Sequence, residues 1–360
     1  MIPYILIFLF NIFFINIDFY SKNKNKKFLF LFLVNTLFVG LRAMIGGFDV
    51  YIYSEIYEAS NYLVLTYEPF EIGFRFFLVF LKLFSNDRHF LLFVVALITF
   101  YIHYSYLNKY SPLFYFSAFI FFCKFFLMSF VYLRQELAMC VLIASIPFII
   151  KRNLFIYSLF LIAAFFIHKS SIIFLPAYFI YNFYFKKETI ILIGLLIVII
   201  AVTPLNNFLL SSLIEQFQDD KVEIYFNKSN GFNFFYLIET LIFIVLLIKY
   251  KNSFDRIAHG RFFYNGFLLY ILITLLAVNN ATFIRFSWYF LFFMFVGLAY
   301  IYTFITSINS RKIYMFFFLL YFSALFFRLL ILYDEGDFMP YKMFFQDFDR
   351  NGMWDFMEYR

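Results

Sequence analysis

Apolar runs of about 15 to 20 residues recur from one end of this chain to the other, each long enough, or nearly so, to cross a hydrocarbon core of ~30 Å. With 64% hydrophobic and only 14% charged residues, the sequence excludes a soluble domain of this length. The pattern predicts an all-α, polytopic membrane helical bundle, a single integral membrane domain over residues 1–360. The N-terminal run MIPYILIFLFNIFFINIDFY lacks a basic leader and a small-residue cleavage site, so it reads as a retained first span. The 65 phenylalanines spread through every span without forming a periodic cage, and read as filler for lipid-facing positions. Cys123 and Cys140 fall in neighbouring spans and make no disulfide framework.

Basic clusters set the orientation. Lys22, Lys24, Lys26 and Lys27 follow the first span, and Lys151–Arg152, Lys186–Lys187, the Lys249–Arg261 loop and Arg311–Lys312 punctuate later ones. Such short basic connections stay cytoplasmic, so the net charge of +7 serves topology and implies no nucleic acid. Spans are expected near 1–20, 28–41, 89–107, 112–130, 134–150, 153–167, 170–185, 188–205, 233–250, 262–280, 285–306 and 312–332, about twelve in all. The loops 42–88 and 206–232 and the tail 333–360 then lie outside. Parity requires that residues 71–84, which reach only ~21 Å and carry Arg75 and Lys82, form an external interfacial or re-entrant helix. All acidic residues except Asp18, Glu188 and Asp255 fall outside or near outer helix ends. Carboxylates hardly influence orientation, so this asymmetry says that the polar chemistry faces out.

The stretch Arg42 to Tyr57, RAMIGGFDVYIYSEIY, is a polar outcrop in this apolar chain. Gly46–Gly47 breaks the preceding helix, and Asp49 is placed to N-cap a short helix running to about Ser60. Asp49, Tyr53 and Tyr57 then share one face. A row of rings beside a carboxylate suits a sugar; tyrosines at the headgroup level of an interfacial helix fit the pattern equally well.

Arg42, Arg134 and Arg285 all fall at outer helix ends, where positive charge is not needed for orientation. A single arginine there snorkels to the interface, but three guanidinium forks on one face could hold a diphosphate. Spans between Arg152 and Lys186 can be only ~25 Å long, so the turn His168–Lys169–Ser170–Ser171 should sit recessed. A recessed imidazole can serve as a general base, with Asp49 as competitor, or simply satisfy nearby carbonyls. No second histidine stands at metal spacing, so no metal and no cofactor is expected. Lys124, Glu239 and Arg328 lie inside spans, where ionisable groups usually face a cavity or one another, and with Lys169 they are supporting candidates. Asn227–Lys228–Ser229 and Asn280–Ala281–Thr282 match glycosylation sequons of the kind that arise by chance.

In this order the residues resemble the EpsG-like family of membrane polysaccharide polymerases, relatives of the Wzy type. The likeness is carried by Arg42, Gly46 or Gly47, Asp49 and Tyr53, then Glu71, Gly73 and Phe74, then Arg134–Gln135. Ala163–Ala164 with His168 to Ser171 and Pro176, then Arg285, then Pro340–Tyr341 complete it. The resemblance implies polymerisation of polyprenyl-diphosphate-linked oligosaccharide repeat units at the outer leaflet of a bacterial plasma membrane. It implies sugar contacts at Tyr53, Tyr57, Glu71, Gln135 and Tyr341, and work beside a flippase and a chain-length regulator. Two other functions fit an outward polar face: a flippase for lipid-linked oligosaccharide, and an acyl- or phosphotransferase decorating surface glycans. The sequence shows neither the internal repeats and midplane-broken helices of the first nor the His-Asp-type pair or metal-ligand cluster expected of the second, so both rank below polymerisation.

Overall fold

A computed structural model of the chain describes residues 1–16, 24–203, 232–279, 283–332 and 338–346, without the side chains of 24–27, 201–202 and 332. Asp18, Lys22, both sequons, nearly all of the loop 206–232 and most of the tail 333–360 lie outside the described residues. Among the described residues every regular element is helical, with an isolated antiparallel bridge between Arg42 and Met343.

Three helices, Arg88–Tyr110, Leu133–Ile150 and Ile308–Ile331, are long and apolar enough to cross a membrane. Shorter apolar helices are Ile2–Ile15, Phe28–Gly40, Phe114–Phe125, Leu154–Ile167, Gly260–Leu276 and Leu291–Phe304. Three clear spans therefore stand against the twelve or so that hydropathy predicts.

Part of the difference comes from breaks within apolar runs. Residues 170–185 are not one span but a 3-10 segment Lys169–Phe174, a short helix Pro176–Phe179 and a further 3-10 turn, Ile180–Asn182. Pro176 has no N–H to continue a helical ladder. Carbonyls around the irregular segment have side-chain partners from elsewhere: the Tyr157 hydroxyl donates to Phe174 O (2.8 Å) and Leu175 O (3.3 Å). Asn265 Nδ2 donates to Ile180 O (2.6 Å) and Phe183 O (2.9 Å). Residues 112–130 divide into Phe114–Phe125 and Met128–Val131, where Ser129 Oγ donates to Phe126 O at 2.7 Å. Residues 285–306 divide into Ile284–Trp288 and Leu291–Phe304, with Ser287 Oγ on Ile284 O at 2.7 Å. At these two breaks a serine side chain bonds a carbonyl of the preceding turn.

The chain groups into two compact units, residues 1–145, 158–172 and 305–360, and residues 146–157 and 173–304. In the first, Asn11 and Asn35 exchange amide hydrogen bonds (2.9 and 3.0 Å) and Asn35 Nδ2 reaches the Tyr104 hydroxyl at 2.9 Å. These buried contacts tie the helices Ile2–Ile15, Lys24–Gly40 and Arg88–Tyr110, as polar side chains do between helices in lipid. Phenylalanines are core material as much as lipid-facing surface. Phe8, Phe122 and Phe326 stack in the first unit, and Phe262, Phe263 and Phe293 cluster in the second.

Between the helices Lys24–Gly40 and Arg88–Tyr110 the chain builds three short helices, Phe48–Glu58, Asn61–Thr66 and Ile72–Lys82. The last is amphipathic, burying Phe74, Leu78 and Leu81 and exposing Ile72, Phe76 and Phe80. Its 11 residues extend about 16 Å, too short to span. Arg75 and Lys82 donate to the carbonyls of Leu65 and Ala59, and Arg88 pairs with Glu58 through both nitrogens. Ala43 N and Phe344 N bond to Lys342 O and Leu41 O at 2.9 Å, and the His89 ring packs on Phe344. The ends of both long helices thus meet the same segment, and the three short helices lie between them at that level.

Candidate active site

Glu71 begins the helix Ile72–Lys82, accepting Arg75 N at its carbonyl (3.1 Å), yet its carboxylate does not cap that helix. It turns outward to three donors in the same unit. Oε2 accepts from Arg134 Nη1 at 2.6 Å, and Oε1 accepts from His168 Nδ1 at 3.0 Å and from Lys169 N at 3.2 Å.

The last two donors exist because of how a helix ends. His168 N closes the helix Leu154–Ile167 on Ala164 O at 2.8 Å, and the chain then tightens into a 3-10 turn with Ser171 N on His168 O at 3.0 Å. That change of ladder frees the Lys169 N–H for Glu71. Gly73 permits the approach: a Cβ there would stand 2.7 Å from Phe166 O and 2.8 Å from its carbonyl carbon. Only a residue without a side chain lets the helix beginning at Glu71 lie against the end of the helix carrying Phe166.

Arg134 sits in the first turn of the helix Leu133–Ile150. Besides Glu71, it donates from Nη1 to Pro69 O (3.0 Å) and from Nε to the Tyr53 hydroxyl (3.3 Å). Its guanidinium lies 4.9 Å from the Phe70 ring centroid and 5.7 Å from that of Tyr53. Nη2 makes no hydrogen bond among the described residues and remains available to an anion. The side chains of Arg134 and His168 are 21% and 26% exposed, so the group opens to its surroundings.

Burial pushes the Glu71 carboxyl up, but the His168 hydrogen bond and the Arg134 charge outweigh it and bring the pKa to about 2. Glu71 is therefore a fixed anion. Burial raises the Tyr53 hydroxyl to about 12 despite Arg134 beside it, so it stays neutral.

Sequence-predicted residues divide clearly. Glu71, Arg134, His168, Lys169 (by its backbone) and Tyr53 come together. Asp49 is near enough to Tyr53 to act on its charge, but it lies in the first turn of Phe48–Glu58, whose N-cap is Gly47. Gly47, with φ 74°, and Gly46, with φ 128°, adopt the turn that L side chains rarely make. Tyr57 shares the predicted face but is fully buried, its hydroxyl donated to Ser85 O at 2.5 Å. Gln135 is buried.

Arg42 is not presented to a ligand. It is wholly buried, and Nε, Nη1 and Nη2 donate to Ile45 O (3.0 Å), Val39 O (2.6 Å) and Phe130 O (2.9 Å). Burial lowers its pKa to about 10, leaving it cationic at neutral pH. Phe130 lies in the one-turn helix Met128–Val131, too short to satisfy its own carbonyls, so Arg42 serves as the partner for Phe130 O. Tyr341 packs beside this group, its ring 4.1 Å from Phe38 and its hydroxyl on Phe38 O at 2.7 Å. Lys124 is buried and Arg328 half-buried in the first unit. Arg285 belongs to the second unit, on the short helix Ile284–Trp288, as does Glu239, which accepts from the Tyr270 hydroxyl at 2.6 Å. A convergence of three arginines is thus reduced, in the first unit, to Arg134 alone.

The Glu71 contacts join parts of the chain nearly a hundred residues apart, and residue types alone did not link them: the spacing singled out His168 and Arg134 separately. No curated protein and no solved structure matches the chain. The EpsG family model matches residues 25–343, which include the described Glu71, Arg134 and His168. The chain belongs to the EpsG family, the family of Wzy-like polysaccharide polymerases.

Proposed function

We propose that this chain polymerises polyprenyl-diphosphate-linked oligosaccharide repeat units into a surface polysaccharide at the outer leaflet, with Glu71, Arg134 and His168 as its reacting centre. The observation that carries the reading is the division of one carboxylate between an imidazole and a guanidinium. With Nδ1–H donated to Glu71, the His168 ring presents Nε2 as a proton acceptor. The carboxylate also stabilises the imidazolium that forms when Nε2 takes a proton.

An acceptor hydroxyl on one repeat unit loses its proton to His168 as its oxygen bonds to the anomeric carbon of the growing chain. The bond from that carbon to the diphosphate breaks, and polyprenyl diphosphate leaves with the electron pair. Nη2 of Arg134, held in place by Glu71, Tyr53 and Pro69, binds the negative charge that develops on the leaving group. The rings of Tyr53 and Phe70 are buried, so they pack on the guanidinium and help aim it and do not face the sugar. In this reading the membrane supplies the lipid-linked substrate, arginine does the electrostatic work, and a flippase and a chain-length regulator act with the chain.

The test is polymer length in cells making the glycan, with Arg134→Ala and His168→Gln. Both variants should deliver single repeat units to the surface without long polymer. Long chains of normal length in both would reject the assignment. Precursor stranded on the inner leaflet would instead point to lipid-linked oligosaccharide transport.

A further inference from the structure

A second polar group lies in the first unit, separate from the Glu71 contacts. Thr99 and His103 face inward one helical turn apart on Arg88–Tyr110, and Glu136 and Cys140 do the same on Leu133–Ile150. All four are essentially without solvent exposure. His103 Nδ1 stands 3.3 Å from Glu136 Oε1, Cys140 Sγ 3.7 Å from that oxygen, and Sγ and Nδ1 are 4.0 Å apart.

As a hydrogen-bonded cluster this group is poor. Nδ1 has one proton to give, and the Thr99 carbonyl already stands 3.0 Å from it. Glu136 Oε2 forms no hydrogen bond of good geometry, and the Thr99 hydroxyl interacts with Glu136 and Cys140 without one either. A carboxylate so sparsely satisfied between apolar helices is costly unless something else completes its shell.

As a ligand set the group is good. Metal bonds of about 2.0–2.3 Å to oxygen, nitrogen and sulfur place the ligand atoms of a tetrahedral zinc ion roughly 3.3–3.7 Å apart. The three separations fall at that spacing or a few tenths of an ångström beyond it. Thiolate with imidazole selects against magnesium and calcium and suits zinc. We propose that His103, Glu136 and Cys140 bind one divalent zinc ion that pins the helices Arg88–Tyr110 and Leu133–Ile150 together. Binding releases the thiol proton, moves the imidazole proton to Nε2 and leaves one position for a water molecule. The ion takes no part in the sugar transfer proposed above, and neither reading depends on the other.

The test uses the full chain in detergent, stripped with chelator and titrated with cobalt(II) or zinc(II) alone. The sequence has 2 cysteines, so a thiolate-to-cobalt absorption band that survives Cys123→Ser must come from Cys140. Wild type and Cys123→Ser should both give this band and take up about one zinc per chain. Glu136→Gln should weaken uptake roughly 10-fold or more. Absence of the band and of zinc uptake in refilled wild type overturns the proposal, as does a band lost in Cys123→Ser or kept in Cys140→Ser.

Discussion

Glu71 and His168 lie 97 positions apart and meet at 3.0 Å, Nδ1 to Oε1, while the other carboxylate oxygen holds Arg134 at 2.6 Å. One anion thus fixes the direction of a ring and of a guanidinium, and both side chains remain partly exposed. This gives the group a specific acid response. The folded pKa of Glu71, about 2, lies below that of a free carboxylate at ~4.3. The ionised group therefore contributes stability above about pH 4.3, and the contribution is lost as pH falls towards 2. Thermal unfolding in detergent should show Glu71→Gln less stable than wild type at about pH 5 and above. The margin should shrink as pH falls from about 4 towards 2. A margin that held or grew over that lower range would mean that Glu71 is not an anion in the folded chain.

Gly73 sets the distance between the two helices that bring Glu71 to His168. A methyl group at this position meets main-chain atoms of Phe166 at under 3 Å, and main chain cannot rotate away. Gly73→Ala should cost roughly 1–3 kcal/mol by overpacking and separate the carboxylate from the imidazole. Polymer length should fall in this variant at membrane abundance within about twofold of wild type. Full-length polymer from Gly73→Ala would show that the helix approach is not needed.

Hydropathy was enough to read the membrane class, and the count of spans between basic loops, with the shortness of 71–84, was enough to read a short non-spanning helix there. The breaks at Pro176, at Phe126–Leu127 and at Tyr289–Phe290 were not legible. Near Pro176 the carbonyls' partners, Tyr157 and Asn265, stand elsewhere in the chain; at the other two breaks the partners are local serines, Ser129 and Ser287, of a kind that uninterrupted helices also carry. The site was legible in its parts: Arg134 and His168 stood out as polar residues in apolar surroundings. Glu71 is picked out only by the family resemblance, as a sugar contact, because nothing local shows that its carboxylate joins Arg134 to His168. Likewise no local motif joins His103 to Glu136 and Cys140, because each helix supplies only half of the group.

Tyr53 and Tyr57 share a helix face but differ in their partners. Tyr57 donates to Ser85 O from a fully buried position, whereas Tyr53 accepts from Arg134 beside the open group. Tyr57→Phe should lower stability by about 1 kcal/mol and leave polymer length unchanged. Tyr53→Phe should shorten polymer with a smaller stability change, since Arg134 loses one of the contacts that aim it. Equal stability losses with unaltered polymer in both would place Tyr53 among purely structural residues.

Arg42 and Arg134 separate on a similar principle. Arg42 donates to three carbonyls with no exposure, and removing it leaves those acceptors buried without partners at ~1–3 kcal/mol each. Arg42→Ala should therefore fail at folding, with protein largely lost from the membrane and polymer lost in proportion. Arg134→Ala releases Pro69 O, the Tyr53 hydroxyl and Glu71, of which the charged one, Glu71, stays paired with His168 and Lys169 N and partly open to solvent. It should accumulate at close to wild-type abundance and yet make no long polymer. Quantifying both proteins in membranes beside glycan length decides the matter: a well-folded, abundant Arg42→Ala that makes no polymer would return Arg42 to the list of substrate contacts and weaken the case for a reaction centred on Glu71.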